Sequence, residues 1–207
     1  GSNVIGYIEG SDPQLKDEVI IVGAHLDHLG RCWELIPGAN DNASGVAVMM
    51  SVARALAQYE TKMKRSVIFL AFGAEEQGIF GSKVYLDNPS YPPEKTSAML
   101  NIDGVGVGNK IGVTAGENHP GLYAFIEKAN DQYIHRHLNP STFLNNTRPR
   151  LDAARFMKAG IPILSFYAYG GPSVYHQPGD DVDKITPEIM EETAQLLFMS
   201  LIEMANQ

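Results

Sequence analysis

The stretch Pro37-Gly38-Ala39-Asn40-Asp41-Asn42-Ala43-Ser44-Gly45 decides how the rest of this chain is interpreted. It follows a short apolar run that ends in polar residues at 25–28, and it precedes an amphipathic segment with helical spacing. Asp41 therefore falls between a loop and the start of a helix, where a side chain can face a cleft. A carboxylate in that position can bridge two metal ions if the rest of the chain supplies the other ligands.

The composition is that of an ordinary folded domain. The chain has 207 residues, of which 44% are hydrophobic and 19% are charged, and this length fits one domain. The net charge of −8 argues against nucleic acid or an anionic membrane as the main partner. One cysteine, Cys32, excludes an internal disulfide, and no apolar run has the ~18 residues of a membrane-spanning segment. The start at Gly1-Ser2, without a signal peptide, is interpreted as that of a trimmed domain.

Strands alternate with helices along the chain, which predicts an α/β layered domain with a mostly parallel sheet. Strands are predicted at residues 4–9, 18–24, 66–72, 98–102, 111–114 and 161–167. Helices are predicted at residues 43–59, 81–86, 120–135, 152–158 and 187–204. Functional sites in such sheets form at the carboxyl ends of the strands. The chemistry is therefore expected just after residues 24, 72, 102 and 167.

Polar clusters follow these strand ends. They are His25-Leu26-Asp27, Glu75-Glu76, Asn101-Ile102-Asp103 and Tyr175-His176. Each cluster alone has an ordinary explanation, such as a structural histidine, a helix cap, a solvated charge pair or a turn. Together with Asp41 they supply five candidate metal ligands at one sheet edge, namely two histidines, two aspartates and a glutamate. Imidazole and carboxylate ligands suit zinc, and five ligands with one shared carboxylate suit a pair of ions.

The spacing within two clusters separates their roles. His25 and Asp27 are two residues apart, so both can point to one face of a strand. His25 can then bind a metal while Asp27 orients it from behind. Glu75 and Glu76 are neighbours whose side chains diverge, so one can bind a metal while the other acts as a general base.

The ordered set of motifs closely resembles the di-zinc aminopeptidases of metallopeptidase family 28. The motifs are His25-x-Asp27, Gly38-Ala39-Asn40-Asp41-Asn42-x-Ser44-Gly45, Glu75-Glu76, Asn101-x-Asp103, and Tyr175-His176 with Asp180 and Asp183. The similarity spans roughly residues 17–205. It implies a zinc-peptidase-like, three-layer α/β/α fold with a mixed, mostly parallel central sheet. It also implies that residues 1–207 are a single catalytic peptidase domain.

The resemblance implies two zinc ions per chain. His25, Asp41 and Glu76 would hold one ion. Asp41, Asp103 and His176 would hold the other. The resemblance further implies that the peptide bond between Asp41 and Asn42 is cis.

Four further residues receive roles from the same resemblance. Glu75 would be the general base, Asp27 would stand behind His25, and Tyr175 would donate its hydroxyl to the developing oxyanion. Arg150 would contact the substrate. The family's Ser-Asp-His segment is Leu151-Asp152-Ala153 here, and this departure affects substrate-side details but no metal ligand.

The implied function is release of N-terminal amino acids from peptides with a free N-terminus, by a water molecule that two zinc ions activate and Glu75 deprotonates. One alternative is a glutaminyl cyclase, which has one zinc on the same fold. Another is a carboxypeptidase or small-peptide deacylase, for which Arg148 and Arg150 would supply a basic pocket. A non-enzymatic domain would lack metal ligands that this chain retains. The family habit implies a periplasmic or secreted location, and the oligomeric state stays open.

Overall fold

A computed structural model describes residues 1–142 and 150–207, and its central element is a mixed β-sheet. The strands are β1 (Val4–Ile8), β2 (Val19–His25), β3 (Gly30–Arg31), β4 (Leu35–Ile36), β5 (Ser66–Phe72), β6 (Thr96–Ile102), β7 (Lys110–Thr114), β8 (Leu138–Ser141) and β9 (Ile163–Tyr169). Within the described ranges the sheet has seven strands in the order β1-β5-β2-β6-β9-β7-β8, and β3 and β4 pair separately.

The middle of the sheet is parallel. β5, β2, β6 and β9 run side by side in the same direction, whereas β1 is antiparallel to β5 and β7 is antiparallel to β9. β2 is buried along its whole length, as its continuous apolar sequence predicts. The carboxyl ends of these four central strands therefore meet at one edge of the sheet, where the polar clusters were expected.

Helices cover both faces of the sheet and complete the three layers. They are α1 (Gly45–Ala57), α2 (Phe80–Asp87), α3 (Pro120–Ala129), α4 (Asp152–Lys158) and α5 (Pro187–Asn206). α1, α3 and α5 pack on one face, with Val48, Ile126 and Leu197 in the core. α2 and α4 pack on the other face through Tyr85 and Phe156. The three-layer α/β/α fold with a mixed, mostly parallel sheet is thereby confirmed.

Some boundaries differ from those predicted. α3 ends at Ala129 but continues as a π-helical turn over Asn130–Ile134, so the predicted helix ends one residue earlier than residue 135, at the left-handed residue His135. The Asn130 side chain closes this turn by accepting the N–H of Arg136 and donating to its carbonyl. β9 begins two residues later than predicted, at Ile163, where its pairing with β6 starts. The short strands β3, β4 and β8 were not predicted. None of the described helices has the length and apolar character needed to cross a membrane.

Candidate metal centre

The fold brings the predicted ligands to one edge of the sheet. His25 is the last residue of β2, Asp103 directly follows β6, and Glu76 lies in the turn after β5. His176 lies in the segment after β9, and Asp41 in the irregular turn Ala39–Ser44 before α1. In two groups the potential ligand atoms all lie within 4.8 Å of one another. The first group is His25, Asp41 and Asp103, and the second is His28, Asp41, Glu76 and His176.

The grouping of His25 differs from the expected one. His25 Nε2 lies 3.1 Å from Asp41 Oδ1 and 3.5 Å from Asp103 Oδ1. The reason is the strand register, since Gly23 of β2 pairs with Asn101 of β6 and two more residues bring His25 level with Asp103. Asp103, not Glu76, therefore completes the group that contains His25.

Glu76 instead lies against His176. His176 Nε2 is 3.1 Å from each carboxylate oxygen of Glu76 and 3.4 Å from Asp41 Oδ2. The opposite oxygen of Asp41 faces His25. Asp41 is therefore the residue that both groups share, as the sequence predicted, although Glu76 and Asp103 have exchanged places.

The turn that carries Asp41 is fixed by hydrogen bonds from both sides. The backbone N–H groups of Asn40 and Asp41 donate to the two carboxylate oxygens of Asp180, over 2.7 and 3.0 Å. The Asn42 amide donates to the carbonyl of Ile102, at the end of β6, over 2.9 Å. The Asp41–Asn42 peptide bond is cis, as expected. These contacts tie Asp41, which both groups share, to the end of the strand that precedes Asp103.

Asp27 acts differently from the expectation. Its carboxylate is 3.8 Å from His25 Nδ1, whereas its backbone carbonyl is 3.0 Å away and orients the ring. The carboxylate instead accepts the backbone N–H groups of Glu75 and Glu76, over 3.0 and 3.2 Å. The Asp27 side chain thus holds the turn that presents both glutamates, because backbone N–H groups in a tight turn need an acceptor.

The electrostatics of the cluster favour a cation. Burial raises the pKa of Glu75 to about 8, an effect that His25 opposes and nearby carboxylates reinforce. Burial alone would lower the pKa of His25, but hydrogen bonds and charges from Asp103 and Asp41 raise it to about 11. Burial and the charge of Asp41 also raise the pKa of Glu76. Several carboxylates thus share one partly buried site, where positive charge is stabilising.

Tyr175 lies beside the cluster, while Arg150 has no contact with it. The Tyr175 ring stacks on the His176 ring with centroids 3.8 Å apart, and the Tyr175 side chain is exposed to solvent. Arg150 is exposed and makes no hydrogen bond or ion pair with another described residue. The roles of both in catalysis or substrate binding stay predictions. Arg148 lies outside the described residues.

His28 joins the cluster although sequence reasoning gave it no role. Its side chain is 7% exposed, and its Nδ1 lies 2.8 Å from Glu76 Oε1 and 3.9 Å from Asp41 Oδ2. The only signal in the sequence was its position three residues after His25. Strand alternation could not place it, because β2 ends at His25 and residues 26–29 have no regular secondary structure.

The residues present fit a pair of zinc ions. Both groups combine imidazole with carboxylate, which are donors that zinc prefers. The side chains of Asp41 and Glu76 are at least nine-tenths buried, and buried carboxylates are stabilised by compensating positive charge. Among the described residues, neither ring nitrogen of His28 has a hydrogen-bond partner, which is expected of a nitrogen positioned for a cation.

Comparison with known proteins identifies the family. The family model described as peptidase family M28 matches residues 3–201. The chain belongs to peptidase family M28. It is 29% identical to aminopeptidase YwaD of Bacillus subtilis (strain 168), over 97% of this chain and 44% of YwaD. It is 28% identical to a probable leucine aminopeptidase of Arthroderma benhamiae, over 93% of this chain and 56% of that protein. The chain thus spans about half the length of these M28 relatives.

Solved structures share the M28 fold with this chain. The aminopeptidase from Aneurinibacillus sp. strain AM-1 superposes with a TM-score of 0.83 and 28% identity, over 99% of this chain and 48% of that one. BSAP, a zinc aminopeptidase from Bacillus subtilis, superposes with a TM-score of 0.83 and 26% identity, over 99% of this chain and 50% of BSAP. The glutaminyl cyclase of Porphyromonas gingivalis superposes with a TM-score of 0.80 and 20% identity, over 98% of this chain and 77% of the cyclase. At this identity the comparison shows a similar fold alone.

Proposed function

We propose that this chain is the catalytic domain of a zinc-dependent aminopeptidase that releases N-terminal amino acids from peptides. The observation that carries the proposal is the pair of ligand groups that share Asp41, with Glu75 next to one of their members. Membership of family M28 and the zinc aminopeptidase likeness support the same reaction class.

Two zinc ions are proposed, with ligands assigned from the observed distances. His25, Asp41 and Asp103 hold one ion, and Asp41, Glu76 and His176 hold the other. When bound, the ions would supply Lewis-acid polarisation of the scissile carbonyl and would make a water molecule more acidic.

Glu75 is the proposed general base. Its pKa of about 8 allows the carboxylate to take a proton from the attacking water and to hand it to the leaving amine, because a shuttle works best with a pKa near the working pH. Asp27 holds the Glu75 backbone in place. Tyr175, beside His176, donates its hydroxyl to the developing oxyanion, and Arg150 contacts the substrate.

The proposed substrates are peptides with a free N-terminus. A positively charged terminal amine is attracted to the acidic side chains that surround the site, and an internal peptide bond offers no such charge. The names of the relatives, which include probable leucine aminopeptidases, agree with this substrate class. We also propose a periplasmic or secreted location on the family habit, to be tested by cell fractionation.

The test combines metal analysis with hydrolysis of a panel of aminoacyl-anilides, before and after chelation. We expect two zinc ions per chain and chelator-sensitive turnover. The Glu75→Gln variant is expected to lose about 10²–10⁴-fold in rate while it keeps its metal, because only the proton acceptor changes. Glu94→Gln, in an exposed turn, is the matched control and should behave as the unaltered chain.

Other outcomes would redirect the assignment. One zinc ion with cyclisation of N-terminal glutamine would indicate a glutaminyl cyclase. Two zinc ions without anilide turnover, but with cleavage of blocked peptides, would indicate a carboxypeptidase or deacylase. Metal binding without any turnover would indicate a binding domain.

A further inference from the structure

His28 is a buried imidazole that lacks hydrogen-bond partners. Its side chain is 7% exposed, and neither ring nitrogen makes a hydrogen bond within the described part of the chain. Buried polar groups in folded proteins are nearly always paired, because an unpaired one loses its hydration without replacement. His28 therefore needs a partner other than a protein hydrogen-bonding group.

The distances around His28 describe such a partner. His28 Nδ1 lies 2.8 Å from Glu76 Oε1, yet the two atoms form no hydrogen bond, so the nitrogen and the oxygen lie side by side and are not aimed at each other. Donors that bind one tetrahedral zinc at about 2.0–2.2 Å sit roughly 3.3–3.6 Å apart. The four histidine–carboxylate separations in this group are 2.8, 3.1, 3.4 and 3.9 Å, which bracket that value.

The surrounding chain holds the His28 ring in this position. Gly38 has φ of +76°, and a Cβ added there would lie 2.5 Å from His28 Cγ, so only glycine leaves room for the ring. The His28 and His176 rings make an edge-to-face contact, with centroids 5.6 Å apart and an angle of 71° between the ring planes. The position of His28 is thus a packed feature of the site.

We propose that His28 is a metal ligand, which binds the ion shared by Asp41, Glu76 and His176. This inference rests on the proposed function, and it makes the two ions unequal. The ion at His28 would have four protein ligands, whereas the ion at His25 would have three. Fully ligated sites bind tightly, and sites with an open position exchange and accept substrate. The ion held by His25, Asp41 and Asp103 would then be the one with an open position.

A count of metal-bound histidines tests the proposal directly. The purified chain is depleted of metal, loaded with two equivalents of Co²⁺, and its proton NMR spectrum is recorded in H₂O and D₂O. Each cobalt-bound imidazole with its other nitrogen protonated contributes one strongly shifted, solvent-exchangeable signal. We expect three such signals, one each from His25, His28 and His176. Two signals would overturn the proposal even without any variant.

Variants connect the third signal to His28. His28→Phe should lose one exchangeable signal, and the zinc affinity measured in one step of the titration should fall about tenfold or more. Changes to residues that support a metal site typically weaken metal binding by this factor. His137→Phe, before the outer strand β8, is the matched control and should keep all signals and both steps. An unchanged signal count in a folded His28→Phe chain would contradict the proposal.

The outcome separates this inference from the proposed function. Two bound ions with peptide cleavage, but with only two histidine signals, would leave the aminopeptidase assignment intact and reject His28 as a ligand. Failure to bind Co²⁺ or Zn²⁺ at all would reject both.

Discussion

At the residue scale, Asp27 links the histidine to the proposed base. Its carboxylate accepts the N–H groups of Glu75 and Glu76, while its carbonyl faces His25. Asp27→Asn places an NH₂ donor against one of these N–H groups, so the turn should shift. We expect a 10–100-fold loss of activity with weaker metal binding, measured by turnover and by zinc titration. Asp131→Asn, at an exposed position, is the control. Unchanged metal affinity and turnover would show that the turn does not depend on Asp27.

Asp152 is a second residue with a measurable consequence. It is 1% exposed, and one of its carboxylate oxygens has no hydrogen-bond partner among residues 1–142 and 150–207. Burial raises its pKa to about 6, against the opposing effects of Ser82 and His25. Since its pKa is higher in the folded than in the unfolded chain, its stabilising effect is complete below about pH 3.8 and is lost as the pH rises through 6. A pKa shift of roughly two units corresponds to a change of about 3 kcal/mol in the free energy of unfolding.

Asp152→Asn removes the carboxylate whose ionisation at high pH destabilises the folded chain. In the metal-free chain the variant should unfold at a higher temperature than the unaltered chain, by a larger margin at pH 8 than at pH 5. Calorimetry at the two pH values measures both margins. Equal margins would mean that Asp152 is ionised to the same extent in the folded and unfolded states.

At the element scale, the turn Ala39–Ser44 depends on a carboxylate that is distant in sequence. Asp180 is fully buried and accepts the N–H groups of Asn40 and Asp41. Asp180→Asn should lower the free energy of unfolding by about 1–3 kcal/mol and weaken zinc binding, because one buried N–H group loses its acceptor. The nearby Asp183 is exposed and pairs only with Lys184 within the described residues, so Asp183→Asn should change neither quantity. Thermal unfolding and zinc titration of both variants provide the comparison.

The sequence predicted the central strands and the site's edge of the sheet because those features are local. Ile20 and Val22 lie in a continuous apolar run, and His25 comes at its end. The local sequence therefore predicts both the buried strand and the polar residue that follows its apolar part. The partner of His25 was not readable, since it depends on β2 pairing with β6 and on the register of that pair. His28 lies past the end of β2, where side-chain direction has no period. The strand β8 is polar and contains Pro140, so no apolar pattern marked it.

At the scale of the whole molecule, metal binding should stabilise the fold. The ligands come from four loops and one strand end, so the unfolded chain offers no comparable site. Zinc at 100 times its dissociation constant should add about 2.7 kcal/mol per site to the free energy of unfolding. We expect chelation to lower the melting temperature by several degrees and zinc to restore it, as differential scanning calorimetry can measure. Calcium is the control, because it prefers all-oxygen ligand sets. Stabilisation by calcium to the same degree would contradict a zinc-selective site.

The spread of the ligands along the chain also sets an order of events during protein synthesis. His25, Asp41 and Asp103 lie in the first half of the chain, but β9, which pairs with β6 beside them, and His176 come near its end. A nascent chain that has been synthesised only as far as residue 110 of this sequence therefore contains the first trio without β9 and without His176. Metal capture at the second site therefore waits until His176 has been synthesised, and a chain that terminates before residue 176 lacks a ligand of that site.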